Sequence, residues 1–294
     1  PKKRPAFAGL FLERRPQARV PRQRAGITIS AQVAAAAQKQ LAFVLLCCIV
    51  IYYMGVKEMQ SGIIYRGPSQ IDGQPIVVIA IAKSRNTKTG DMVQTYILCD
   101  NGLDPMLNNK LGHDYSICGD CQFRGEPVAA DAPGKHAKGR KCYVKLFQGV
   151  LITWKHLQKG GYPVITGHDA IAEIGAGRMV RIGTYGDGAA VPKHIWDSLL
   201  SKAAGHTAYT HQDGLVPTDP DLFMISADTE AEAVAAWQDG KRTFRVIQNT
   251  EQLLTGFEIL CPASKEAGRR ATCHTCKLCA GASKKAKSIA IVQH

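Results

Sequence analysis

The chain has 294 residues, 45% of them apolar and 21% charged, a composition that excludes a wholly disordered chain and suits one large or two modest globular domains. Its formal charge of +13 is unevenly spread: residues 1–58 hold ten Lys/Arg against Glu13 and Glu58 and carry +8, leaving +5 for residues 59–294. The total is therefore not by itself a nucleic-acid signature.

The leader is rich in Arg and Pro, and residues 41–56 (LAFVLLCCIVIYYMGV) then run for 16 residues without a charge. That is short of the ~20 that cross a bilayer, although the preceding AQVAAAA extends it. Two expectations follow. Either 41–56 anchors the protein to a membrane, with the basic leader on the cytoplasmic side, or residues 1–58 lie outside the functional unit, because the chain opens at Pro1 and the first structured pattern follows Met59. The second is favoured: a cytoplasmic cysteine-rich α/β domain over 59–294, with no membrane contact unless 41–56 is a true span. Cys47 and Cys48 read as packing residues within the apolar run.

Ile76 to Lys83 (IVVIAIAK) and Asp91 to Leu98 (DMVQTYIL) read as two strands joined by SRNTKTG, an N-terminal β-hairpin. Residues 101–143 show little periodicity and read as a cysteine-bearing loop. Apolar residues at Val150, Leu151, Trp154 and Leu157 give a helical stripe that stops at Gly160-Gly161. From Arg178 onward strands and helices alternate: MVRIGTY, a helix over 191–204 with Pro192 in its first turn, HTAYT, LFMIS, a helix opened by a Thr229/Glu232 capping box, and RTFRVI. This alternation predicts parallel β/α structure, a partial or half (β/α) barrel, with the site at the carboxyl ends of strands. Asp187, His211 and Asp228 follow three successive strands, and Tyr185 ends the first of them. Each carboxylate also suits a plain helix cap.

The cysteines carry the strongest signal. Cys118, Cys121 and Cys142 form one group, for which Cys99, His113 or His136 supplies a fourth ligand; Cys261, Cys273, Cys276 and Cys279 form another. Thiolates spaced by two residues meet one ion from a single turn. The first spacing fits a zinc knuckle. The second fits one zinc or the start of a [4Fe-4S] ligand run. Cations travel with both groups: Lys135, Lys138, Arg140, Lys141 and Lys145 near the first, Arg269, Arg270, Lys284, Lys285 and Lys287 near the second. They either offset thiolate charge or bind a nucleic-acid backbone. No P-loop, GxGxxG or serine-hydrolase elbow occurs, which disfavours nucleotide hydrolysis and ordinary dehydrogenase chemistry.

The segments SICGDCQFRG, KCYVKLFQG, RIGTYGDGAAVP, AYTHQ, RTFRV, CPASKEAG and TCHTCKLCAG resemble a family of cysteine-rich phage- and plasmid-borne proteins, over nearly all of residues 62–294. Some members of that family are labelled rolling-circle replication proteins, which implies DNA as partner and a tyrosine nucleophile such as Tyr185 or Tyr209. The order of parts is also similar, more loosely, to phage cysteine proteins related to radical S-adenosylmethionine barrels, which implies an iron-sulfur enzyme. Nucleic-acid binding, catalysis through Asp187, His211 and Asp228, and metal stapling without catalysis stay open on these residues alone.

Overall fold

The computed structural model describes residues 38, 40, 60–84, 89–268 and 271–293. The 41–56 run with Cys47 and Cys48, together with Arg269 and Arg270, lies outside the described residues, as does nearly all of the leader. The chain divides into units Pro1–Lys57 and Glu58–His294, and the elements below belong to the second. No helix among the described residues is long and apolar enough to cross a membrane.

The fold is mixed α/β with two five-stranded sheets. The first has the order β1 (Gly62–Pro68), β2 (Pro75–Ile81), β3 (Met92–Cys99), β4 (Met179–Tyr185), β5 (Gly205–Thr207). Strands β1, β2 and β3 pair antiparallel, so the expected hairpin is present and gains a third strand in front of it. From β3 to β5 the pairing is parallel. Strand β2 explains its own place: Ile76, Val77, Val78, Ile79 and Ala80 are all fully buried, and an unbroken apolar run suits a strand covered on both faces.

The second sheet is parallel throughout, in the order β6 (Tyr209–Thr210), β7 (Met224–Ala227), β8 (Thr243–Ile247), β10 (Ser288–Val292), β9 (Glu258–Leu260). Only Ala208 separates β5 from β6, so one short segment feeds both sheets. Ala208 is buried; its N–H donates to the Cys279 carbonyl (3.0 Å) and its carbonyl accepts from Met224 N (3.1 Å).

Seven helices complete the described structure: α1 (Pro105–Leu111), α2 (Tyr115–Cys118), α3 (Leu151–Gln158), α4 (His168–Gly175), α5 (Lys193–Leu200), α6 (Glu230–Gln238) and α7 (Cys273–Cys276). The expected capping box is formed, with Thr229 and Glu232 satisfying the first turn of α6 reciprocally. Helix α5 is shorter than the 191–204 pattern, and Pro192 stands before its first residue rather than inside its first turn. The 101–143 stretch is not a bare loop, since α1 and α2 lie in it. Helix α1 hides from periodicity because it buries Asn108, Asn109 and Lys110 in place of an apolar stripe. Lys110 reaches the carbonyls of Ala130 and Ala132 (2.8 and 2.5 Å), and Asn109 reaches Asp114 (2.7 Å).

Trp196 is the largest fully buried side chain, and its indole N–H donates to the Gly188 carbonyl (2.8 Å), fixing α5 under the loop that follows β4.

Candidate metal and strand-end site

Parallel pairing sets the carboxyl ends of β3, β4, β6, β7, β8 and β10 where polar residues follow strands, the usual place for sites in α/β sheets. Cys99 ends β3 and Tyr185 ends β4; His211 and Gln212 follow β6, Asp228 follows β7, Gln248 follows β8 and Gln293 follows β10.

Three of the residues singled out from the sequence meet here. Asp187 caps the short 3-10 turn Gly188–Ala190, its Oδ1 accepting from Ala189 N (2.9 Å). Its Oδ2 accepts from His211 N (2.8 Å) and from Gln212 Nε2 (3.1 Å), so the carboxylate is both a cap and a clamp on the end of β6. His211 Nε2 faces Asp228 Oδ1 at 3.3 Å, and the same ring hydrogen-bonds the Cys121 thiol. Burial by itself would lower the His211 pKa, but Asp228 and Cys121 outweigh it and push the value up to about 10. Phe123 meets the imidazole edge to face, with ring centroids 6.1 Å apart.

Gln212 is the residue that sequence reasoning passed over. Fully buried, it donates from Nε2 to the Cys118 carbonyl (2.8 Å) and accepts at Oε1 from Asp120 N (3.2 Å). It ties the Cys118-Gly119-Asp120-Cys121 turn to β6, ninety-odd residues away in sequence. Gly119 makes that approach possible: its φ is +47°, and a Cβ at this position would overlap the Gln212 amide.

The first cysteine group gathers around this point. Cys118 lies within electrostatic reach of Cys121, Cys142 and Cys99, and Cys142 within reach of Cys121. Burial pushes the Cys118 thiol well above its ordinary value, with Asp114 and the neighbouring thiols adding to the effect. Cys99 is pushed up to about 12 by burial, then by Asp114 and Asp72, and its Sγ donates to the His113 carbonyl at 3.3 Å. Cys142 is raised by burial while Arg140 opposes, and Arg140 also clasps the Cys142 and Val144 carbonyls (3.0 and 2.7 Å). His113 is exposed and His136 half-buried.

Tyr185 is 4% exposed, and its hydroxyl has no hydrogen-bond partner among the described residues. Its pKa is raised by burial and then by Cys118, Asp114, Cys99 and Cys142, which makes it a poor nucleophile and puts an unused donor beside the thiols.

The second group packs against the second sheet. Cys261 and Cys279 are buried in an apolar cluster with Met224 and Ile289, while Cys273 and Cys276 open and close α7. The thiol of Cys279 is pushed up to about 12 by burial, against a hydrogen bond from Tyr209, and it feels the charges of Cys261, Cys273 and Cys276. Arg181 lies over the Tyr209 ring at 5.8 Å and donates to the Tyr143 hydroxyl at 2.6 Å. Lys284, Lys285 and Lys287 are exposed just beyond this group.

In neither group do the thiols close on a common centre: among the described residues, no three His, Cys, Asp or Glu side chains stand in metal-holding geometry. The donor chemistry nonetheless suits a soft or borderline cation. Each group offers several clustered thiols, and the first adds an orphaned Tyr185 hydroxyl that a thiolate would accept.

A cavity of about 880 Å³ opens beside the first group. Cys121, Asp120, Asp228, Gln248 and Gln293 line it together with Arg124, Lys138 and Lys141. Arg124 is engaged with Asp114 at 2.8 Å, whereas Lys138 and Lys141 are exposed. Lys135 and Lys145 are exposed as well and do not line the cavity, and Arg140 is half-buried and turned toward the backbone it clasps. No family model, curated protein or solved structure matches the chain.

Proposed function

We propose that this is a metal-thiolate protein that acts on nucleic acid, in keeping with the cysteine-rich phage- and plasmid-borne proteins its motifs resemble, some of which are labelled replication proteins. One observation carries the reading: Cys121, the strand-end carboxylate Asp228, and the cations Lys138 and Lys141 line a single cavity, and Asp228 is paired with His211 at 3.3 Å. In this reading Cys118, Cys121 and Cys142 hold a zinc with one further donor, and Cys261, Cys273, Cys276 and Cys279 hold a zinc or a [4Fe-4S] cluster. Bound metal neutralises clustered thiolates and orders the 119–142 segment, whose own composition supplies little packing. The lysines then offer charge to a phosphate backbone while Gln248, Gln293 and Asp228 face it from the strand ends.

The finer architecture belongs to the same proposal. Because 205–210 supplies an edge strand to each sheet, we take the two sheets to be successive parts of one curved, partial β/α barrel. The iron-sulfur enzyme reading rests on the Cys273-x2-Cys276-x2-Cys279 run and on the looser similarity in the order of parts, and is kept for the second group only.

The test is titration of the full chain with single-stranded and duplex DNA across a salt series. Binding that weakens log-linearly with salt, with a slope reduced by Lys138→Gln and Lys141→Gln, supports the reading. Affinity and slope that both variants leave unchanged would overturn the assignment of this cavity.

A further inference from the structure

The basic surface does not end at the cavity. Residues 141–147 lie in no strand, yet exposure alternates along them: Lys141, Tyr143, Lys145 and Phe147 face solvent, while Cys142 and Val144 are half-buried and Leu146 is buried. We infer that this ribbon is a stacking platform for single-stranded DNA, running from the cavity at Lys141 to Phe147. The inference rests on the nucleic-acid reading above and adds the form of the partner and the rings that meet its bases.

Large aromatic rings are costly to leave in water, and here two stand out of the surface within five residues: Tyr143 is 71% exposed and Phe147 55%. A cation precedes each of them by two positions, and no acid occurs anywhere in residues 132–168. Rings that stack on bases, set between cations that meet phosphates, are what a single strand requires. The ribbon is also held in shape. The backbone N–H groups of Lys141 and Cys142 both donate to the Phe123 carbonyl (3.0 and 2.9 Å), Arg140 bridges the carbonyls of Cys142 and Val144 (3.0 and 2.7 Å), and Leu146 is anchored in the core. The Tyr143 hydroxyl accepts from Arg181 at 2.6 Å, which fixes its ring. A platform set beforehand loses little freedom when a strand settles on it. Lys141 also lines the cavity, so a strand leaving the cavity meets Tyr143 next.

Other occupants fit the ribbon less well. A duplex keeps its bases stacked on one another and offers the rings nothing to stack on. RNA is told from DNA through its 2′-hydroxyl, and neither ring has a free hydroxyl to meet one: Phe147 has none and that of Tyr143 is held by Arg181. A bilayer takes up rings from an apolar face set apart from the cations, whereas here lysines alternate with the rings and the polar tip of Tyr143 is turned to the protein. A second copy meeting the ribbon face to face would set lysine against lysine, a like-charge contact that opposes association.

The experiment titrates the full chain with a fluorescent oligothymidylate of about 20 nucleotides, enough to cover a site of about 4–16, and with a duplex and an oligouridylate of the same length, across a salt series. The variants are Tyr143→Ala, Phe147→Ala, Tyr143→Trp, Phe147→Trp and Lys145→Gln. Each alanine variant should bind oligothymidylate about 5- to 150-fold more weakly, the worth of one base stacked on one ring, with its salt slope and its duplex affinity unchanged. The tryptophan variants should bind as the parent does, and Lys145→Gln should lower the salt slope by about 0.7. Strand affinity that both alanine variants leave unchanged, while Lys138→Gln and Lys141→Gln still weaken it, would overturn the inference and leave the reading of the cavity intact. Equal losses on strand and duplex, or tighter binding of oligouridylate than of oligothymidylate, would overturn it as well. So would a loss seen only in binding to phosphatidylserine-phosphatidylcholine vesicles, or only in self-association by sedimentation. A folded protein with no affinity for either form of DNA would overturn both.

Discussion

Replacing Gln212 with Leu keeps the volume of a fully buried side chain and removes its amide, and the consequences can be worked from its three contacts. Nε2 loses the Cys118 carbonyl (2.8 Å) and the Asp187 carboxylate (3.1 Å), and Oε1 loses Asp120 N (3.2 Å). A neutral hydrogen bond contributes about 1 kcal/mol and one to a charged group about 1.5–3 kcal/mol, and the stranded partners add desolvation. The loss is on the order of 4 kcal/mol if the turn stays closed, and about 3 kcal/mol if water reaches the freed carbonyl. Domains are stable by about 5–15 kcal/mol, so the variant folds but is weakened. In urea, with a slope near 2 kcal/mol/M, its midpoint should fall by about 1.5–2 M. Thiol labelling should also find Cys118 and Cys121 reacting faster in Q212L than in the parent protein, because the turn that carries them has lost its tie to β6. An unchanged midpoint with unchanged labelling rates would refute the idea that Gln212 joins the cysteine turn to the strand end.

Arg245 and Glu258 form a buried bidentate pair (2.9 and 2.6 Å) between β8 and β9, and Glu258 also accepts from Leu254 N. Arg245→Met should cost about 3–5 kcal/mol by leaving Glu258 uncompensated, and adding Glu258→Leu should recover much of it; urea denaturation of the single and double variants checks both. Burial lowers the pKa of His206, whose Nε2 meets the Leu222 carbonyl at 2.9 Å. The unfolded chain therefore takes up this proton first, so stability from His206 is complete above its ordinary value of 6.5 and is lost as pH falls below it. Unfolding curves between pH 8 and 5 should show that decline, and His206→Gln should flatten it.

The sequence was informative wherever a local rule suffices. The β2/β3 hairpin, β4 and the α6 capping box follow from alternation and capping chemistry, and the structure has all three. Helix α1 was also signalled, by Asp104 before Pro105 and by Gly112 at its end, but its buried polar face defeats a search for apolar periodicity. The contact between Asp187, His211 and Asp228 was legible as three strand ends in a parallel array. What joins them was not. Gln212 and Tyr185 matter through partners about seventy to ninety residues distant in the chain, and an amide or hydroxyl that is ordinary in sequence acquires its role only when the strands are in register.

The central claim is that both cysteine groups hold metal. Elemental analysis and the visible absorption spectrum of the full chain, purified without oxygen, test it most directly. Zinc is expected at the first group, and at the second either a further zinc with no colour or iron and sulfide with a brown chromophore. A folded protein with no bound metal, and with the thiols of both groups open to titration, would contradict it.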